Sequence, residues 1–122
     1  MKRKIFVVEK DADIHDIIVR ILSEEGYEVN SSRSEFGIFE QIKNAMPDII
    51  LLDVASASAQ GTELSRAIKS ANEIKHIPVV VLSTHLKVDV IKSVRADEIT
   101  PKPFDVNKLA DIIERQLLNN SP

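Results

Sequence analysis

Four residues of this chain have side chains suited to phosphoryl chemistry: Glu9, Asp53, Ser83 and Lys102. Each lies at the end of a short apolar or strand-like run. Ile5-Phe6-Val7-Val8 precedes Glu9, Ile49-Ile50-Leu51-Leu52 precedes Asp53, Val79-Val80-Val81-Leu82 precedes Ser83, and the weaker Glu98-Ile99-Thr100 comes just before Lys102. A carboxylate can attack phosphorus while a hydroxyl and an ammonium hold the equatorial oxygens. Taken singly, each has a plain reading: Asp53 as a solvated carboxylate ending a strand, Ser83 as an ordinary hydroxyl, Lys102 as a surface lysine. Pro101 and Pro103 on either side of Lys102 argue for a held side chain. The usual backbone cradle for nucleotide phosphates is missing, because the chain has neither G-x-G-x-x-G nor a P-loop. There is no cysteine, which excludes disulfides, thiolate zinc sites and cysteine nucleophiles. His15 beside Asp16 is expected to be solvated and His76 to lie in a loop. His85, two residues after Ser83, is placed for a gating role. No pair of histidines has metal-ligand spacing.

Those four positions need elements to carry them, and the hydrophobic pattern supplies an alternation. Ile5–Val8 is a continuous apolar run, as expected of a strand buried on both faces. Asp11 or Asp13 can cap a helix whose stripe is Ile14, Ile17, Ile18, Ile21 and Leu22. Gly26 is placed to end it. Tyr27–Asn30 predicts a second strand. Ile38, Phe39 and Ile42 mark a second helix that must end before Pro47. Ile49–Leu52 is a third strand, ending at Asp53. The small and polar stretch from Val54 to Gly61 reads as a loop. Leu64, Ala67, Ile68 and Ala71 mark a third helix. Pro78–Leu82 predicts a fourth strand ending at Ser83, followed by a short helix over Lys87–Val94 and a weak last strand over Glu98–Thr100. Asp105 is placed to cap a final helix with the stripe Leu109, Ile112, Ile113 and Leu117. Strands alternating with helices predict an α/β fold: a flavodoxin-like, doubly wound, five-stranded parallel sheet with helices on both faces. In such sheets ligands sit at the carboxyl ends of the strands. One domain over residues 1–118 is expected, with 119–122 as a disordered tail.

Composition narrows the function classes. At 122 residues the chain is long enough for one real core. Hydrophobic residues at 43% and charged residues at 29% are those of a globular chain, not a disordered one. Aromatics are only 4% and the formal net charge is −3, which argues against nucleic acid as a partner. No segment approaches the roughly 20 apolar residues needed to cross a bilayer, so no membrane association is expected. The basic start Met1-Lys2-Arg3-Lys4 is followed by an apolar run that stops at Glu9, too short for a signal-peptide core. The cytoplasm is the expected location.

From Lys4 to Leu118 the chain resembles the response-regulator receiver domain of two-component signalling. The resemblance is carried by Ile5-Phe6-Val7-Val8-Glu9, Pro47-Asp48-Ile49-Ile50-Leu51-Leu52-Asp53, Ile77-Pro78-Val79-Val80-Val81-Leu82-Ser83 and Lys102-Pro103-Phe104. Gly61 also falls where receivers place a glycine. The resemblance implies that Asp53 is the phosphoacceptor, that Lys102 pairs with the phosphoryl group, and that Ser83 is the switch hydroxyl. It implies Mg²⁺ as cofactor, held by Glu9, Asp53 and the backbone carbonyl of Ala55. It implies a phosphohistidine donor on a sensor histidine kinase or a histidine phosphotransfer protein, and a downstream protein that the sequence does not name. Such a chain is a signalling module rather than an enzyme. With no output domain in view, it would act by docking or by passing the phosphoryl group on.

Several positions depart from that pattern. Lys10 occupies the usual second acidic position, and Asp11 comes one residue too late to replace it. Either Lys10 points outward and the site lacks one ligand, or its ammonium takes the metal's place. Glu9, Lys10, Asp53 and Lys102 sum to zero formal charge, whereas a usual receiver site has three carboxylates and one lysine. A unit charge pair at 4 Å is worth roughly 4 kcal/mol at an effective dielectric of about 20, so weak or absent Mg²⁺ binding is expected. Ala55-Ser56-Ala57-Ser58-Ala59 replaces the usual Pro and its neighbours. Ile99 stands at the aromatic switch position. The segment between Ser83 and Lys102 is short, which predicts a clipped fourth helix. Lys10, Ile99 and the clipped fourth helix favour a rival reading, a phosphorylation-independent pseudo-receiver acting as a protein-interaction module, whereas the retained Glu9, Asp53, Ser83 and Lys102 favour a working site. A flavin-binding domain is a further rival, disfavoured by the missing phosphate cradle.

Overall fold

The computed structural model describes residues 3–34, 37–54, 66–83, 98–101 and 106–119. β1 (Lys4–Val8) is buried from Ile5 to Val8, which explains its unbroken apolar run. α1 (Ala12–Glu24) begins at Asp11, whose side chain accepts from the N–H groups of Asp13 at 3.0 Å and Ile14 at 3.1 Å. This settles the choice between Asp11 and Asp13 as cap. The helix closes on Gly26, with φ at +96°. There the Gly26 N–H donates to the Ser23 carbonyl at 3.1 Å and the Tyr27 N–H to the Leu22 carbonyl at 3.2 Å, the paired bonds of a Schellman end.

β2 (Glu28–Ser32) starts one residue later than the sequence predicts and runs two residues further. The extra residues, Ser31 and Ser32, are polar and gain their pairing from β1, with Val7 opposite Ser31 and Val8 opposite Ser32. α2 (Ile38–Ala45) ends at Met46 in the left-handed region, just before Pro47. β3 (Ile49–Val54) runs one residue past Asp53. Residues 66–70 are helical, within the predicted third helix. β4 (Val79–Ser83), β5 (Glu98–Pro101) and a C-terminal helix (Val106–Asn119) complete the described elements. That helix extends through Asn119, one residue into the stretch expected to be tail. Leu64, the segment over Lys87–Val94 and Asp105 lie outside the described residues.

The sheet order is β2-β1-β3-β4-β5, and every pairing is parallel. Alternation along the strands builds two cores. Phe6, Val8, Ile50, Leu52, Val79 and Val81 pack with Ile38, Ile42 and Ile68 on one face. Ile5, Val7, Ile49, Leu51, Val80 and Leu82 pack with Ile18, Leu22, Leu109, Ile113 and Leu117 on the other. This is the expected doubly wound, flavodoxin-like arrangement.

Two stripe residues are misplaced by the sequence reading. Ile17 is 51% exposed. At about 100° per residue it falls roughly a third of a turn from the midline of Ile18 and Leu22, the positions that pack on the sheet. Ala67 is likewise exposed beside the buried Ile68. Gln116, which the stripe omits, is buried on the C-terminal helix.

Gly26→Ala is expected to destabilise the fold by about 1–2 kcal/mol, the cost of a Cβ in a left-handed conformation. A Cβ at this site would meet no atom within 4 Å, so the loss comes from the backbone alone. Urea denaturation should show the midpoint fall with an unchanged slope; an unchanged midpoint would refute the conformational argument.

Candidate functional site

The chain runs from β1 outward to β2 and then returns to the other side of β1 as β3. The direction of winding therefore reverses between β1 and β3, and the crevice at their carboxyl ends is where such a fold binds ligands. Three of the predicted site residues belong to that end of the sheet. Glu9 follows Val8, which is in register with Leu52. Asp53 is the next residue of β3 and is in register with Leu82. Ser83 ends β4, opposite Val54 on one side and Pro101 on the other. Lys102 comes next in the chain after β5 and, like Ala55, Gly61, His85 and Phe104, lies outside the described residues. Ile99 is in β5, in register with Val81.

The turn from β1 to α1 is only three residues long, and each has a distinct setting. Glu9 is fully buried. Its N–H donates to the Ser32 carbonyl at 3.0 Å, which ties the turn to β2. Its Oε1 accepts from the Asp11 N–H at 3.3 Å. Lys10 is exposed. Asp11 is occupied as the α1 cap. The turn thus holds one carboxylate inside the protein, gives a second to the helix end and leaves a cation at the surface between them.

The cap can be separated from any ligand role. Asp11→Ala should cost about 1 kcal/mol through loss of two backbone hydrogen bonds, whereas Asp11→Asn should cost only a few tenths because its amide oxygen still caps. Thermal melts of both variants check this. Equal losses in the two would mean that the charge of Asp11, not its capping oxygen, matters.

His15 differs from its expected solvated state. Its side chain is only 14% exposed, with Nδ1 at 3.0 Å from the Asp16 carboxylate. The rotation of α1 that exposes Ile17 turns His15 inward, and a helical wheel centred on Ile18 and Leu22 would have found it. His76 is exposed in the turn before β4, as expected. At the opposite end of the sheet, the Asp48 carboxylate accepts from the Lys4 N–H at 2.7 Å and the Lys4 ammonium donates to the Ala45 carbonyl at 2.9 Å. These contacts fix the start of β1 against β3 and the end of α2, far from the crevice.

Mg²⁺ prefers octahedral oxygen donors and is usually held through carboxylates, water and substrate phosphate. The β1–α1 turn does not fit that requirement in the usual receiver manner. Glu9 is its one inward carboxylate, Asp11 is engaged by two N–H groups, Asp13 is exposed in the first turn of α1, and Lys10 brings a positive charge. Among the described residues no group of three His, Asp or Glu side chains gathers to hold a metal ion. Among them, too, no helix is long and apolar enough to cross a membrane.

Comparison with known proteins agrees with the geometry. The family model described as the response regulator receiver domain matches residues 5–114. The nitrogen assimilation regulatory protein NtrX of Azorhizobium caulinodans is 30% identical over 122 residues, which cover 96% of this chain and 26% of that protein. This chain therefore spans about a quarter of the length of that regulator. Sporulation initiation phosphotransferase F of Bacillus subtilis is 24% identical over 96% of this chain and 95% of its own length. The crystal structure of a CheY-like response regulator receiver domain protein from Methanospirillum hungatei superimposes with a TM-score of 0.87 at 22% identity, covering 98% of this chain and 97% of that one. With the family match over most of its length and the crevice at the β1–β3 reversal, the chain belongs to the response regulator receiver domain family.

Proposed function

We propose that this receiver accepts a phosphoryl group on Asp53 from a phosphohistidine, on a sensor histidine kinase or a histidine phosphotransfer protein, and signals by docking to a downstream protein. The observation that carries the reading is the strand register: Glu9, Asp53 and Ser83 come from the carboxyl ends of three neighbouring strands, at the crevice. In the transfer, an Asp53 carboxylate oxygen attacks phosphorus as the P–N bond breaks. The donor imidazole, protonated on its other nitrogen, leaves as a neutral ring, so no further proton is needed. Ser83 and Lys102 are assigned to the phosphoryl oxygens. The new group brings about −1.5 to −2 charge and three acceptors, enough to reorganise the ends of β4 and β5. The similarity to a B. subtilis protein named as a phosphotransferase, over nearly its whole length, supports onward transfer as one use of the phosphoryl group. The location that suits such partners is the cytoplasm.

Lys10 at the second acidic position favours one alternative, an interaction module without a phosphoryl cycle. Incubation with phosphoramidate, a small P–N donor, separates the two. The receiver reading expects a single acid-labile phosphate on folded protein. Folded protein that stays unlabelled would favour the interaction module.

A further inference from the structure

We infer that Lys10 keeps this pocket from binding a divalent cation. The inference rests on the receiver reading for the identity of the pocket. It is carried by the settings of the β1–α1 turn. Glu9 is fully buried, with its Oε1 at 3.3 Å from the Asp11 N–H. Asp11 is held at the helix end, its Oδ1 accepting from the Asp13 and Ile14 N–H groups at 3.0 and 3.1 Å. Asp13 is already in the first turn of the helix and exposed. That leaves position 10 as the one place on the turn where a further carboxylate could join Glu9, and the residue there is a lysine. Mg²⁺ parts with its water reluctantly and needs ligand oxygens in return. Here it meets one fewer carboxylate and one more positive charge, and with Asp53 and Lys102 counted the four side chains are formally neutral.

A single substitution should therefore create the missing site. Lys10→Asp places a carboxylate on an exposed position of a turn that is already fixed at both ends, by the Glu9–Ser32 bond and the Asp11 cap. Calorimetric titration with MgCl₂ should show Lys10→Asp binding at least about tenfold more tightly than wild type, since even outer-sphere partners alter metal affinity on that scale. Melting temperature should follow, rising with Mg²⁺ in the variant and staying level in wild type. Adding Asp53→Asn to Lys10→Asp should remove the gained affinity. Lys10→Asn, which removes the positive charge and offers a neutral oxygen, should bind more weakly than Lys10→Asp and serves if the aspartate variant does not fold.

Phosphoramidate labelling of wild type should be unchanged by EDTA. Wild type binding Mg²⁺ as tightly as Lys10→Asp, affinity retained after Asp53→Asn, or EDTA abolishing wild-type labelling would each overturn the inference. Failure of the receiver reading looks different: Asp53 would stay unlabelled in every variant, whatever the titrations show.

Discussion

Leu51→Ala should lower the free energy of unfolding by about 3–4 kcal/mol. Leu51 is fully buried on β3, the strand between β1 and β4. It sits in the core shared with α1 and the C-terminal helix. The loss combines the transfer free energy of the removed carbons with the cavity they leave. Neighbouring strands are hydrogen-bonded on both sides of β3, so the site has little freedom to collapse. Against a total of about 5–15 kcal/mol for a domain of ordinary stability, such a loss is large. Leu118 supplies the contrast, because it is 74% exposed; Leu118→Ala should stay within about 0.5 kcal/mol. Urea denaturation of the pair reads both. A loss below about 1 kcal/mol at Leu51 would mean that the two helices do not pack as tightly on β3 as its burial indicates.

Asp53→Asn should reduce acid-labile labelling by phosphoramidate to background. Asparagine keeps the shape of the side chain and removes the nucleophilic carboxylate, so the chemistry is lost with little change in volume. Circular dichroism should confirm that the variant is folded. Labelling at the wild-type level in Asp53→Asn would move the acceptor to another carboxylate.

The sheet was legible because its interior strands are covered on both faces. Ile5–Val8, Ile49–Leu52 and Val79–Leu82 are unbroken apolar runs, and each became a strand within a residue or so of its expected ends. The edge strand β2 was harder. Its residues Asn30, Ser31 and Ser32 have no hydrophobic signature, and it is pairing with β1 that makes them a strand. Helix α1 was legible as an element but not in its rotation. Five isoleucine and leucine positions span a face wider than the sheet can cover, so Ile17 is left outside and His15 is drawn in.

The crevice was legible in part. Element order alone brings Glu9, Asp53 and Ser83 to one end of the sheet. The choice of cap was not, because it depends on where α1 begins. Both Asp11 and Asp13 are good caps by residue type. The three-residue turn selects Asp11 as the cap.

The most direct measurement is peptide mapping of phosphoramidate-treated protein after borohydride reduction, which converts an aspartyl phosphate to homoserine. Homoserine is expected at position 53 and at no other aspartate. A reduced residue elsewhere, or none at all in folded protein, would contradict the assignment of Asp53 as phosphoacceptor.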